Sequence, residues 1–130
     1  MNARTPKKIL TVDDDPHNRK LMETLLRAEG YEVRCVSSGK AALDAIATDA
    51  PDLILLDLMM PGMDGFEVLR RMKTDPVARR IPVIVVTAVD EASSRARLAA
   101  AGIAEVVTKP VDRWELKTRM ERLLNKGGTP

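Results

Sequence analysis

Short apolar runs alternate with helically spaced apolar positions five times along the chain. The runs Ile9–Val12, Tyr31–Val36, Leu53–Leu56, Val83–Val86 and Glu105–Thr108 predict strands. Between them, Leu21, Met22 and Leu25, then Leu43, Ile46 and Ala47, then Phe66, Leu69 and Met72 recur at the spacing of one helix face. Leu116, Met120, Leu123 and Leu124 mark the last helix in the same way. The fourth segment, around Ala92 to Ala101, is alanine-rich and weakly patterned, and helix is its reading. Local punctuation agrees. Asp15-Pro16 places a capping residue before a proline at the first helical position. Gly30 and Gly102 fall where helix C-caps belong, and Asp112 can cap the final helix.

Strict strand–helix alternation implies right-handed crossovers and a parallel sheet covered on both faces. Leu53-Ile54-Leu55-Leu56 and Val83-Ile84-Val85-Val86 are apolar at every position, as strands buried on both sides should be. Tyr31-Glu32-Val33-Arg34-Cys35 alternates instead, as an edge strand does. These patterns predict an α/β, doubly wound, five-stranded parallel sheet with the second strand outermost, in the order 2-1-3-4-5.

At 130 residues the chain has the size of one domain, with a core from about residue 7 to 124 and residues 125–130 as a frayed tail. Aromatic residues make up only 2% (Tyr31, Phe66 and Trp114), so the core must be aliphatic and exposed stacking platforms for single-stranded nucleic acid are lacking. A net charge of +2 argues for no polyanionic partner, and the basic last helix reads as a solvated face. The single cysteine, Cys35, cannot form an intrachain disulfide and suits a reducing compartment. With no signal-peptide core and no apolar run long enough to span a bilayer, a cytoplasmic location and no membrane contact are the expectation.

In an open parallel sheet, ligands bind beyond the carboxyl ends of the strands. Asp13 and Asp14 follow strand one and Asp57 follows strand three; Thr87 closes strand four and Lys109 follows strand five. Three carboxylates on one rim repel each other, which a hard divalent cation relieves; Mg²⁺ prefers carboxylates, waters and phosphate oxygens. A cation, an ammonium and a hydroxyl suit a phosphoryl group, and an aspartate can be the nucleophile that receives it.

Four segments carry a resemblance. Ile9-Leu10-Thr11-Val12-Asp13-Asp14-Asp15, Leu55-Leu56-Asp57-Leu58-Met59-Met60-Pro61-Gly62-Met63-Asp64-Gly65, Val85-Val86-Thr87-Ala88 and Thr108-Lys109-Pro110 resemble, in order and spacing, the receiver domains of two-component response regulators. The likeness runs from about Lys7 to Leu124 and implies a flavodoxin-like fold close to that of chemotaxis-type receivers. It implies that Asp57 is the phosphoacceptor. Asp14, Asp57 and the Met59 backbone carbonyl would bind Mg²⁺ (or Mn²⁺) directly, with Asp13 acting mainly through water. Lys109 would pair with the acceptor and then with the phosphoryl group, which the Thr87 hydroxyl and the Ala88 backbone N–H would also contact. A cis peptide bond would precede Pro110. The donor would be a histidine kinase or histidine phosphotransfer protein. The readout would be a protein target or a covalently linked output domain, with no direct nucleic-acid contact. In this reading the chain is a phosphorelay switch and not an enzyme, limited to its own phosphorylation and slow autodephosphorylation.

The sequence departs from the family at informative places. Val106 stands where many receivers carry Tyr or Phe, three residues before the lysine, and Val111 where an aromatic is frequent. Met59 and Val89 occupy two positions that influence aspartyl-phosphate lifetime in the family, and neither can orient an attacking water. Two other functions compete. A degenerate receiver would act as a docking module only, although all four functional positions are retained. An aspartate-nucleophile phosphohydrolase would need a second acid two residues after the nucleophile, where Met59 stands. His17 in the first helical turn reads as solvated, and Cys35 as a buried edge-strand residue.

Overall fold

The computed structural model describes residues 5–88, 92–103 and 105–128. The elements run β1 (Lys8–Val12), α1 (Pro16–Ala28), β2 (Glu32–Val36), α2 (Gly39–Thr48), β3 (Leu53–Leu56), α3 (Gly65–Lys73), a 3-10 turn (Ala78–Arg80), β4 (Val83–Thr87), α4 (Ala92–Ala100), β5 (Val106–Thr108) and α5 (Arg113–Gly128). All strand pairs are parallel, and the order is β2-β1-β3-β4-β5, as the hydrophobic patterning predicts.

Strand side chains alternate between two aliphatic layers. Leu10, Val12, Ile54, Leu56 and Val85 face Ala42 and Ile46 of α2, Val68, Leu69 and Met72 of α3, and Leu98 of α4. Ile9, Leu53, Leu55, Ile84 and Val107 face Leu26 of α1 and Leu116, Met120 and Leu124 of α5. Among the described α4 side chains Leu98 alone joins the buried core, at 1% exposure, which fits the weak patterning of that helix in the sequence.

Caps fix where the helices begin. Asp15 accepts the His17 N–H at 2.9 Å, Ser38 the Ala41 N–H at 3.1 Å, Asp64 the Glu67 N–H at 3.0 Å and Asp112 the Trp114 N–H at 2.8 Å. Such caps typically contribute about 1 kcal/mol each. Gly30 and Gly102 follow α1 and α4 with φ of 92° and 86°, a left-handed geometry that a side chain resists. The Lys109–Pro110 bond is cis.

Several boundaries differ from the expectation. Tyr31 does not open β2, because its N–H closes α1 on the Leu26 carbonyl at 3.3 Å. β5 starts one residue late, at Val106, although the Glu105 carbonyl still accepts the Val85 N–H at 3.0 Å. Residues 125–128, expected in a frayed tail, continue α5 as far as Gly128; no proline interrupts the helix before Pro130. Cys35 is half-buried rather than buried, since the edge strand has cover on one side only. The 3-10 turn lies in a segment where no element was expected.

Gly65 admits the β3–α3 loop back against the strand end. Its N–H donates to the Leu58 carbonyl at 3.1 Å, and an added Cβ would lie 2.8 Å from the Asp57 carbonyl oxygen and from Leu58 Cα. Those neighbours are backbone and cannot step aside. Gly65→Ala is therefore expected to destabilise the protein by about 1–3 kcal/mol, read as a lower urea midpoint at unchanged slope. An unchanged midpoint would show that the loop has slack.

Candidate functional site

The parallel register aligns the strand ends. Val12 of β1 sits opposite Leu56 of β3, and the ladder continues one step further, with the Asp57 N–H donating to the Val12 carbonyl at 3.0 Å. At the other edge, Thr87 pairs in register with Thr108, and the Lys109 N–H donates to the Thr87 carbonyl at 2.8 Å. Asp13, Asp14, Asp57, Thr87 and Lys109 thus share one rim.

Asp13, Asp14 and Asp57 each offer a carboxylate oxygen, and these atoms lie within 4.8 Å of one another. Asp57 is 5% exposed. Its Oδ1 accepts the Met59 N–H at 3.2 Å, and its Oδ2 lies 3.6 Å from Lys109 Nζ. Lys109 is nearer to Asp13, donating to Oδ2 at 3.1 Å. Burial is the main influence on Asp57 and pushes its carboxyl above the usual carboxylate range. The charges of Asp13 and Asp14 push the same way, and Lys109 and the Met59 N–H pull it back only in part. Thr87 is buried at the end of β4, and Ala88 follows it at the surface. The Met59 side chain is 64% exposed, while Met60 is buried. His17 is exposed, as expected. Val89 lies outside the described residues.

The donor set suits a hard cation: three crowded carboxylates with, among the described residues, one ammonium between them leave negative charge unbalanced. The sequence reading missed two supports of this rim. The Asp15 N–H donates to Asp13 Oδ1 at 2.9 Å, and Arg19 Nη1 donates to the Asp13 carbonyl at 2.8 Å. The Asp15 contact was foreseeable, since an aspartate often accepts from the N–H two residues on. The reach of Arg19 was not, because an arginine on an amphipathic helix normally points to water. Behind Asp57, Thr11 Oγ1 is buried with no hydrogen-bond partner among the described residues. It borders a cavity of about 20 Å³, room for one water.

Comparison with known proteins places this rim in context. The family described as the response regulator receiver domain matches residues 9–121. "Response regulator PleD" of Caulobacter vibrioides is 47% identical over 116 residues, which span 89% of this chain and 26% of that protein. "Response regulator MprA" of Mycolicibacterium vanbaalenii is 40% identical over 121 residues, 93% of this chain and 52% of that protein. The chain therefore spans only a quarter to a half of these curated relatives. Among solved structures, the receiver domain of sensor histidine kinase PA1611 from Pseudomonas aeruginosa, determined with a magnesium ion in its active-site cleft, superposes with a TM-score of 0.86 at 31% identity, covering 93% of this chain and 99% of that one. Chemotaxis protein CheY4 of Vibrio cholerae gives a TM-score of 0.87 at 27% identity, covering 92% of this chain and all of that one. With its sheet order, its rim of carboxylates and a family match over most of its length, the chain belongs to the receiver domains of two-component response regulators.

Proposed function

We propose that this receiver takes a phosphoryl group from a histidine kinase or histidine phosphotransfer protein onto Asp57. The buried, under-compensated carboxylate at the end of β3 is the observation that carries the reading. An Asp57 oxygen bonds to phosphorus as the P–N bond to the donor imidazole breaks, and the departing imidazole takes up a proton. Lys109 lies within reach of both Asp57 and Asp13 and can follow the developing charge. The Thr87 hydroxyl and the Ala88 N–H are the contacts we assign to the phosphoryl oxygens. Asp13, Asp14, Asp57 and the Met59 carbonyl are the groups that would hold Mg²⁺ or Mn²⁺, which when bound neutralises charge on the carboxylates and the phosphoryl oxygens.

The chain reads as one domain working as a switch and not as a turnover enzyme: the exposed Met59 stands where a hydrolase would need an acid. Among the described residues no helix is long and apolar enough to cross a membrane. We place the protein in the cytoplasm, where its free thiol stays reduced. Output would pass to a protein target or to a linked domain. With Val106 in place of an aromatic, it would pass through Thr87 and backbone shifts.

Treatment with acetyl phosphate and Mg²⁺ is expected to add one phosphoryl mass to the wild-type protein and none to Asp57→Asn. An unlabelled wild type would point to a docking module, and steady release of phosphate over many turnovers to a hydrolase. Met59→Asn, which offers a polar group beside the acceptor, is expected to shorten the half-life of the phosphorylated protein severalfold. No acceleration would remove Met59 from the control of hydrolysis.

Burial also fixes a pH dependence. Because the folded-state pKa of Asp57 is raised, the native protein holds a proton that the unfolded chain has already lost, and stability falls as pH rises through that range. Without metal, Asp57→Asn should therefore melt above wild type at neutral pH. The gap should close as pH falls towards the ordinary aspartate value of 3.8. A gap that widens in acid would reverse the assignment.

A further inference from the structure

Every polar group of Asp13 is engaged. Its N–H donates to the Val36 carbonyl at 3.2 Å, its Oδ1 accepts the Asp15 N–H at 2.9 Å, and its Oδ2 accepts Lys109 Nζ at 3.1 Å. Its carbonyl accepts Arg19 Nη1 at 2.8 Å, a contact made by a half-buried side chain reaching back from α1. Asp14, next in the chain, is exposed and accepts no hydrogen bond among the described residues. The carbonyl that Arg19 holds belongs to the peptide unit joining Asp13 to Asp14. Because that unit is planar, turning it swings the whole of Asp14. A small cavity is lined by Thr11, Asp13, Arg19 and Asp57 among others.

We propose that Arg19 is a positioning residue for the metal site. Its grip on the Asp13 carbonyl fixes the direction in which Asp14 presents its carboxylate to the oxygens of Asp13 and Asp57. The inference rests on the metal-dependent reading of the site. It also carries a sign that separates it from simple electrostatics. A guanidinium near the rim repels a cation, so its removal would tighten Mg²⁺ binding if charge alone mattered. A strut has the opposite effect: its removal lets Asp14 wander and weakens binding.

Isothermal titration with Mg²⁺ alone, without phosphodonor, tests this in wild type, Arg19→Met, Arg19→Lys and, as a control on the exposed side of α1, Leu21→Ala. Arg19→Met is expected to lose on the order of tenfold in Mg²⁺ affinity, as supports of metal ligands commonly do. Arg19→Lys, which keeps a donor on a shorter reach, should fall between, and Leu21→Ala should match wild type. Thermal melts should show Mg²⁺ raising the midpoint less in Arg19→Met than in wild type. Affinity in Arg19→Met equal to or tighter than wild type overturns the inference. Should that variant not fold, Arg19→Gln takes its place with the same expected loss. If wild type itself takes up no Mg²⁺, the metal-dependent reading falls, and this inference with it.

Discussion

Everything at the rim depends on the pairing of β1 with β3. Leu53, Ile54, Leu55 and Leu56 are each at most 3% exposed, packed by helices on both faces of the sheet. A slip of one residue would draw Asp52 or Asp57, which flank this run, into the aliphatic layers, where an unpaired charge is costly. The aliphatic core thereby fixes the register, and the register delivers Asp57 beside Asp13 and Asp14. A charged site is placed by groups that carry no charge.

The position so enforced is electrostatically poor. Asp57 is nearly cut off from water, faces two other carboxylates and shares a single ammonium that lies closer to Asp13. A fold optimised for stability alone would place an apolar or amide side chain there. The crowding that makes Asp57 uncomfortable in isolation is a conflict that a cation would relieve. A local imbalance of this kind is how a small chemical event becomes a structural signal.

Much of this was legible in the sequence because it depends on order along the chain. The uninterrupted apolar runs of β3 and β4 announce central strands, the alternation in β2 announces an edge, and the residue after each run names the rim. Contacts that depend on side-chain reach were not legible. Nothing in the string distinguishes Arg19, which turns inward to the Asp13 carbonyl, from Arg27, which pairs with Glu23 at the surface. The choice of Asp13 over Asp57 by Lys109 is likewise a matter of tenths of an ångström. Boundaries slipped where two elements compete for one residue, as when Tyr31 serves the end of α1 instead of β2.

Lys109 hangs from the least anchored part of the sheet. β5 is three residues long and has one neighbour, β4, whereas β3 is clasped on both sides. Moving an outermost ribbon of that length breaks few ladder bonds; moving a central one breaks many. Strain delivered to the Lys109 ammonium would thus be released outward, through β5 and the helix it leads into, while the acidic half of the rim holds still. The sheet is built with a stiff anvil and a compliant lip, and the fold decides which side yields.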